Sequence, residues 1–213
     1  MTKLFIIRHG QSITNIDKIF TGRLDAPLSD LGIKQAKKTA EYIYENYHID
    51  KVYASDLKRA FKTGEIVAEK FGLEAISVPE LREICGGVWE GMVFDNIPEK
   101  YPDEYDVWIN DQGNFCAKDG ESSKEVYDRI SKAIVKIAEE NDGKNIVIAG
   151  HAFAIRTFLC YARGKGVEEL QNTSYVTNSS ISIMEYDKGD FDIKQIGFDG
   201  HLEGMQTTLP KNI

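Results

Sequence analysis

The chain has 213 residues, of which 42% are hydrophobic and 28% are charged. This composition excludes a disordered chain, a collagen-like repeat and a disulfide-stapled miniprotein, and the length predicts a single domain over residues 1–213. The 26 Lys and Arg against 34 Asp and Glu give a net charge of −8. That charge argues against broad binding to nucleic acid or to an anionic membrane surface.

The N-terminal sequence and the spacing of the cysteines predict the cellular compartment of the protein. The N-terminal apolar run from Leu4 to Ile7 stops at Arg8 and is far too short for the core of a signal peptide. The cysteines form no CxxC pair and lie far apart, at Cys85, Cys116 and Cys160. Reduced thiols in a cytoplasmic protein are therefore expected. The oligomeric state stays open, with a homodimer among the alternatives.

Strand and helix patterns alternate along the first half of the chain. The apolar run Lys3–Ile7 predicts a buried strand that leads into a loop, and Ser29 is a predicted N-cap for the helix that follows. A second strand is expected over Lys51–Ala54, and Ser55 is expected to cap the next helix. Gly64 lies inside that helix, where glycine costs about 1 kcal/mol relative to alanine, and so predicts the close approach of another element.

The second half begins with an irregular segment, residues 84–120, which glycines and prolines divide into short pieces. We expect it to be an insertion that covers one end of the sheet. Ser122 and Glu125 form a capping box for the next helix. The remaining predicted elements are a strand over Asn145–Ala149, a helix over Ala152–Arg163 and a hairpin of Ser180–Tyr186 with Phe191–Phe198. The order predicts an α/β/α fold in three layers, with a mostly parallel central sheet and an antiparallel edge.

Two of the four histidines follow directly on predicted strands. His9 comes after the first strand and His151 after the strand that begins at Asn145. Because open α/β sheets bind ligands at the carboxyl ends of their strands, we expect the two imidazoles to share one crevice. The alternative is that each histidine only caps its strand by bonding to the backbone. His48 and His201 are expected to be structural or solvated.

Two arginines are expected at the same edge of the sheet. Arg8 adjoins the first of these histidines, and Arg59 lies at the start of a helix, off its apolar stripe and so not needed for packing. Planar guanidinium groups suit the oxygens of a phosphate; the alternative is a solvated surface charge. Gly10 is expected to let the backbone turn sharply, and Ser12 and Asn15 offer donors to an anion.

Four motifs in this order resemble the histidine phosphatase superfamily, in its phosphoglycerate-mutase-like group. They are Arg8–Asn15 (RHGQSITN), Ser55–Ala60 (SDLKRA), Leu81–Glu83 leading to GVWEG, and Gly150–Ala152 (GHA). The resemblance runs from Leu4 to beyond Ala152. Gln11-Ser12 stands where Glu-Thr is commoner in the family, and Cys85-Gly86-Gly87 is a variant of the segment before Trp-Glu-Gly. Neither departure affects the histidines or the arginines.

The resemblance implies a phosphohistidine mechanism that needs no metal and no cofactor. His9 matches the nucleophile, and Arg8, Arg59 and His151 match the pocket that holds the phosphoryl group. Glu83 matches the proton donor to the leaving alcohol. The other positions implied to contact phosphate or substrate are Ser12, Asn15, Thr21, Gly22 and Ala152.

The chemistry of these side chains is compatible with the implied roles. Neighbouring guanidiniums favour the neutral imidazole that His9 needs for attack, and its other ring nitrogen should donate to a backbone carbonyl. Glu83 must hold a proton when the leaving oxygen departs. An ion pair between Glu83 and Arg82 or Arg59 is the alternative for that carboxylate.

The insertion distinguishes hydrolysis from isomerisation. Family mutases carry extra basic residues after the acid, whereas the segment between Glu83 and Ser122 holds only Lys100 and Lys118 and is acidic and aromatic. We therefore expect hydrolysis of a small phosphate monoester, with a cofactor-dependent phosphoglycerate mutase and an α-ribazole phosphatase as alternatives. The aromatic residues that could line the leaving group, or simply pack the insertion, are Trp89, Phe94 and Trp108.

Two further classes of site are less compatible with the sequence. His9, Glu83 and His151 could ligate zinc, but Arg8 and Arg59 beside a dication are unfavourable and the spacing is not that of a metal site. A non-catalytic phospho-ligand module would be expected to lose the nucleophile or the acid, and both are present.

Overall fold

The computed structural model describes residues 1–208 and is built around a six-stranded sheet. The strands are β1 (Thr2–Arg8), β2 (Lys51–Ala54), β3 (Ala75–Ser77), β4 (Asn145–Gly150), β5 (Ile181–Asp187) and β6 (Asp190–Phe198). Their order is β3-β2-β4-β1-β5-β6, parallel from β3 to β1, with β5 and β6 joined to β1 as an antiparallel edge. The predicted fold class is confirmed. The sequence missed β3 because it has only three residues, which are largely exposed.

Helices cover both faces of the sheet. They are α1 (Ile13–Ile16), α2 (Asp30–Asn46), α3 (Lys58–Lys70), α4 (Ile97–Lys100), α5 (Pro102–Asn110), α6 (Ser123–Glu139) and α7 (Ala152–Ala162). Alternate side chains of β1 point to opposite faces. Phe5 and Ile7 join the core with α2 and α3, while Leu4 and Ile6 join the core with α6 and α7. Two hydrophobic cores therefore hold the strand that leads into the predicted site.

The predicted helix caps are confirmed in two cases and wrong in one. Ser29 Oγ accepts from the Gly32 N–H at 3.0 Å, and Ser122 with Glu125 forms the reciprocal capping box. Ser55 is not the N-cap of α3, because that helix begins at Lys58 and its N-cap is Leu57. The Ser55 hydroxyl has a different set of partners, which belong to the site described below.

The glycine inside α3 permits the close approach that the sequence predicted. A Cβ at Gly64 would lie 2.8 Å from Ala54 Cβ and 3.5 Å from Ala149 Cβ, closer to the first than real Cβ contacts come. The helix therefore packs tightly against β2 and β4. This packing places the first turn of α3, with Arg59, at the carboxyl ends of those strands.

Residues 84–120 form short helices around an aromatic cluster. Trp89, Phe94 and Trp108 are at most 6% exposed, and the two indole rings lie 5.7 Å apart. Phe20, from the segment after α1, packs edge-on against Trp89 at 5.4 Å. Packing of the insertion therefore accounts for all three residues that were considered as a lining for the leaving group.

The cysteines and the other two histidines lie away from the strand ends. Cys85, Cys116 and Cys160 are free thiols. His201 is buried, with Nε2 2.9 Å from Thr39 Oγ1, whereas His48 is exposed. Within residues 1–208, no helix combines the length and the apolar character that a membrane span requires.

Candidate active site

The two strand-end histidines meet at one edge of the sheet. β1 and β4 are parallel neighbours with Arg8 opposite Gly150, so the next residues along each strand, His9 and His151, leave the sheet side by side. The His9 N–H donates to the Gly150 carbonyl at 2.9 Å. The imidazole centroids lie 5.3 Å apart with an angle of 61° between the rings. The predicted convergence is therefore present.

The His9 ring is held in one tautomer. Its Nδ1 lies 2.6 Å from the Gly10 carbonyl oxygen, and because a carbonyl only accepts, Nδ1 carries the proton and Nε2 keeps its lone pair. Burial, followed by the charges of Arg59 and Arg8, lowers the pKa of His9 well below its usual value, against the opposing effect of the Gly10 carbonyl. The ring is therefore neutral at neutral pH, with its lone pair on Nε2.

Both arginines are buried and anchored by backbone carbonyls. Arg8 is 7% and Arg59 is 1% exposed. Arg8 Nη1 donates to Val176 O at 2.7 Å, while Arg59 donates to Leu24 O and Gly22 O at 2.8 and 2.7 Å. The expectation that Arg59 is not needed for packing is wrong, because its side chain is among the largest that are fully buried and it bonds to the segment that contains Gly22 and Leu24. In each arginine the Nε atom is buried without a partner among residues 1–208.

Both guanidiniums keep their positive charge although they are buried. Desolvation lowers the pKa of Arg8 to about 10 and that of Arg59 to about 10, and the nearby Glu83 carboxylate opposes the change in both. Both groups therefore remain cationic at neutral pH. The site holds two fixed positive charges beside two neutral imidazoles.

His151 contacts a hydroxyl that the sequence assigned to a helix cap. Its Nε2 lies 2.8 Å from Ser55 Oγ, and its Nδ1 is buried without a partner in the described part of the chain. Burial, followed by the charge of Arg59, lowers the pKa of His151 well below its usual value. A neutral ring with a single bonded nitrogen faces the first histidine.

Glu83 lies at the N-terminus of α7. Its Oε1 accepts from the N–H groups of Ile84 and Ala154 at 3.1 and 3.0 Å, and its Oε2 accepts from the Phe153 N–H at 3.1 Å. The side chain of Arg82 instead pairs with Asp56, with Nε 2.7 Å from Oδ1. Among the residues described, Glu83 therefore makes neither of the ion pairs considered as its alternative.

The loop after His9 contains two of the predicted anion donors. Ser12 is fully buried and caps α1, and its Oγ accepts from the Asn15 N–H at 3.2 Å. The Asn15 amide oxygen accepts from the Ser12 N–H at 3.1 Å and from Asn178 Nδ2 at 3.3 Å. These two bonds fix the orientation of the Asn15 amide, with its oxygen toward Ser12 and Asn178.

Thr21 and Gly22 are placed by contacts within the same loop. Thr21 Oγ1 donates to Thr14 Oγ1 at 2.8 Å. Gly22 has a φ of +49°, and a Cβ there would lie 2.3 Å from a carboxylate oxygen of Glu90. The Gly22 carbonyl holds Arg59, so this residue positions the guanidinium as well as the loop.

The role expected for Gly10 differs from the one observed. Its φ is not in the left-handed region, and a Cβ would lie 2.4 Å from the Gly32 carbonyl oxygen. Glycine is required there by the close approach of α2 rather than by a sharp turn. The Gly10 N–H donates to Thr63 Oγ1 at 3.1 Å.

Sequence reasoning missed two residues that support the site. Ser55 was assigned to a helix cap, and Asn178 was not singled out. Asn178 is 3% exposed and its Nδ2 donates to the His9 carbonyl at 3.0 Å. The signal for Asn178 was its position just before β5, since an antiparallel strand beside β1 begins at the edge where β1 ends.

Metal binding has no support in the described geometry. Over residues 1–208, no group of three or more His, Cys, Asp or Glu side chains is arranged to hold one ion. In His9, moreover, Nδ1 is used by a carbonyl, and in His151, Nε2 is used by a hydroxyl.

Comparisons with known proteins identify relatives over nearly the whole chain. A family model described as histidine phosphatase superfamily (branch 1) matches residues 4–199. Phosphoglycerate mutase-like protein 4 of Arabidopsis thaliana is 32% identical over 206 residues, which cover 94% of this chain and 87% of that protein. Phosphoserine phosphatase 1 of Hydrogenobacter thermophilus is 29% identical over 202 residues, 95% of each chain. The solved structure of YhfR from Bacillus stearothermophilus is 27% identical with a TM-score of 0.90, covering 95% of this chain and 100% of that one.

Proposed function

Since the chain belongs to the histidine phosphatase superfamily and is a phosphatase, we propose that it hydrolyses small phosphate monoesters through a phosphohistidine on His9. One observation carries this proposal. Three buried nitrogens on different elements, Arg8 Nε, Arg59 Nε and His151 Nδ1, have no partner among residues 1–208. Buried polar groups are normally bonded, so two unpaired guanidinium N–H groups and an unpaired ring nitrogen close to the His9 ring fit an anionic group with several acceptor oxygens.

The first chemical step transfers the phosphoryl group. His9 Nε2 attacks phosphorus while the ester P–O bond breaks, and the two guanidiniums stabilise the charge on the equatorial oxygens. Glu83 is the proton donor to the leaving alcohol oxygen in this step. The products of this step are the free alcohol and phosphohistidine.

The second step releases phosphate. The Glu83 carboxylate takes a proton from water, whose oxygen attacks phosphorus as the P–N bond to His9 breaks. The N–H groups that bond this carboxylate hold it at the N-terminus of α7 through both steps. The chemistry needs no metal, because positively charged side chains replace a cation at the phosphoryl oxygens.

Additional donors complete the phosphate pocket in this proposal. The Asn15 NH₂ group and the backbone N–H of Ala152, the first residue of α7, bind phosphoryl oxygens, as helix N-termini commonly do. Ser12 holds Asn15 in place, and Thr21 and Gly22 contact the substrate from the loop that anchors Arg59.

We also propose that residues 84–120 form one wall of this pocket within a single domain of residues 1–213. The Phe20 N–H donates to Met92 O at 2.8 Å and the Gly91 N–H donates to Phe20 O at 3.0 Å, which join the insertion to the segment before Thr21. The free thiol at Cys116, which is exposed, fits a reducing compartment such as the cytoplasm.

The substrate is proposed to be a small ester, as the name of the phosphoserine phosphatase relative suggests. In the insertion, Lys100 and Lys118 are the only basic residues, too few for the basic wall that a mutase needs to hold a bisphosphorylated ligand in two orientations.

A panel of phosphate esters tests this proposal. Phosphoserine, α-ribazole phosphate, an aryl phosphate and 3-phosphoglycerate with its bisphosphorylated cofactor are each incubated with the protein, and with His9→Ala as a control. Phosphate release without isomerised product, abolished in His9→Ala, is expected. Cofactor-dependent interconversion of phosphoglycerates would instead identify a mutase, and full turnover by His9→Ala would refute the assignment of the nucleophile.

A further inference from the structure

The Ser55 hydroxyl has two neighbours and is completely buried. Ser55 Oγ lies 2.8 Å from His151 Nε2, and the Leu57 N–H donates to it at 3.3 Å. The residue is 0% exposed. A hydroxyl has one hydrogen to donate and can accept at its oxygen, so these neighbours decide where the Ser55 proton goes.

The two tautomers of neutral His151 differ in how well they satisfy this group. If Nε2 carried the proton, it would donate to Ser55 Oγ, and the serine proton would have no acceptor among the described residues. If Nδ1 carries the proton, the serine O–H donates to the Nε2 lone pair while its oxygen still accepts from Leu57. The hydrogen and the oxygen of the serine hydroxyl are then both bonded, and an unmade buried hydrogen bond is avoided.

We propose that Ser55 is a positioning residue that sets the tautomer of His151, so that Nδ1 is an N–H donor available to the phosphoryl group. The opposite tautomer would turn a lone pair toward the anion and repel it. Burial and the nearby arginines lower the pKa of His151, which keeps the ring neutral and makes the choice of tautomer matter. This inference rests on the proposed function of the pocket.

The same contact explains why the serine precedes α3 without capping it. The serine stands at the end of β2, the strand beside β4, so its hydroxyl reaches the histidine that follows β4. Leu57, the N-cap residue, has no side-chain hydrogen bond to offer α3. The serine hydroxyl therefore bonds to the histidine of the site and to the Leu57 N–H, and it does not cap the first turn of α3.

Nitrogen-15 NMR of the histidine rings tests the inference directly. The protein has four histidines, and loss of one ring signal set in His151→Gln assigns that residue. In the wild type near neutral pH, Nδ1 of His151 is expected to show the shift of a protonated ring nitrogen and Nε2 that of an unprotonated one. A wild-type ring with the proton on Nε2, or on both nitrogens, would overturn the inference.

Substitutions provide a second readout. Ser55→Ala is expected to move the His151 proton toward Nε2 and to weaken binding of inorganic phosphate about tenfold. Ser55→Thr, which keeps the hydroxyl, should restore the wild-type tautomer, and Ser122→Ala, at the start of α6, should change neither quantity. An unchanged tautomer in Ser55→Ala would refute the role of the serine. Because the ring spectrum is recorded without turnover, failure of the phosphatase mechanism would appear separately, in the ester panel.

Discussion

Replacing Glu83 by glutamine separates its two proposed proton transfers. The substitution keeps the shape of the side chain, and the amide oxygen can still accept from the Ile84 and Ala154 N–H groups. The bond from the Phe153 N–H is lost, because an NH₂ group then faces it. That loss should cost about 1–3 kcal/mol of stability, so the variant is expected to fold.

The activity of this variant should depend on the leaving group. General acid catalysis contributes about 10²–10⁴-fold, so kcat/KM for an alkyl phosphate such as phosphoserine should fall about a thousandfold. An aryl phosphate releases a stable phenolate that needs no proton, so the rate at which it phosphorylates His9 should fall by about tenfold or less. Water attack still lacks its base, and phosphoenzyme should accumulate.

Stopped-flow measurement of phenolate release provides the assay. Glu83→Gln is expected to show a burst of one phenolate per protein followed by slow turnover. Glu104→Gln is the matched control, since that carboxylate accepts from the Trp89 indole N–H at 2.8 Å within the insertion, and it should behave as the wild type. An equal loss of activity with both leaving groups, without a burst, would refute the role of Glu83 as proton donor.

Three further predictions concern protonation, packing and anion binding. The pKa values of His9 and His151 are lowered in the folded protein. In the unfolded chain both rings take up a proton as the pH falls below the usual histidine pKa of 6.5, so the free energy of unfolding is retained above that pH and decreases below it. Each histidine should lower the free energy of unfolding by about 1.2 kcal/mol between pH 7 and 5.5. Urea unfolding at the two pH values should show a smaller decrease in His9→Gln than in the wild type. An equal decrease in the two proteins would count against the lowered pKa of His9. Gly64→Ala should destabilise the protein by about 1–3 kcal/mol through overpacking against Ala54, measured as a lower urea midpoint, and no change would show that α3 can move away from the sheet. Arg59→Lys should weaken vanadate binding at least tenfold in a competition assay, because an ammonium cannot reproduce the guanidinium fork. Wild-type affinity in this variant would contradict the proposed binding of the anion by Arg59.

The strand-end residues were predictable from sequence because they depend on local patterns. A buried apolar run that ends in Arg8-His9 fixes both the strand and the edge from which these side chains emerge. His151 follows the same pattern, and parallel pairing then brings the two rings together. The position of Glu83 needed the resemblance, since nothing in its neighbourhood indicates that it lies at the N-terminus of α7.

The supporting residues were harder to predict because their partners are distant in sequence. Ser55 before a helical stripe is typical of an N-cap, yet its hydroxyl reaches a histidine 96 positions away. Asn178 bonds to a carbonyl 169 positions away. Local propensity cannot show either contact, and the burial of Arg59 follows similarly from a loop that folds over it.

Trapping the covalent intermediate tests the central claim most directly. The protein is mixed with an aryl phosphate, quenched in base to preserve the P–N bond, digested and mapped by mass spectrometry. The account predicts one phosphoryl group, on His9 at Nε2, which accumulates in Glu83→Gln. Turnover with no phosphorylated His9 in either protein, or with the phosphoryl group on His151, would contradict it.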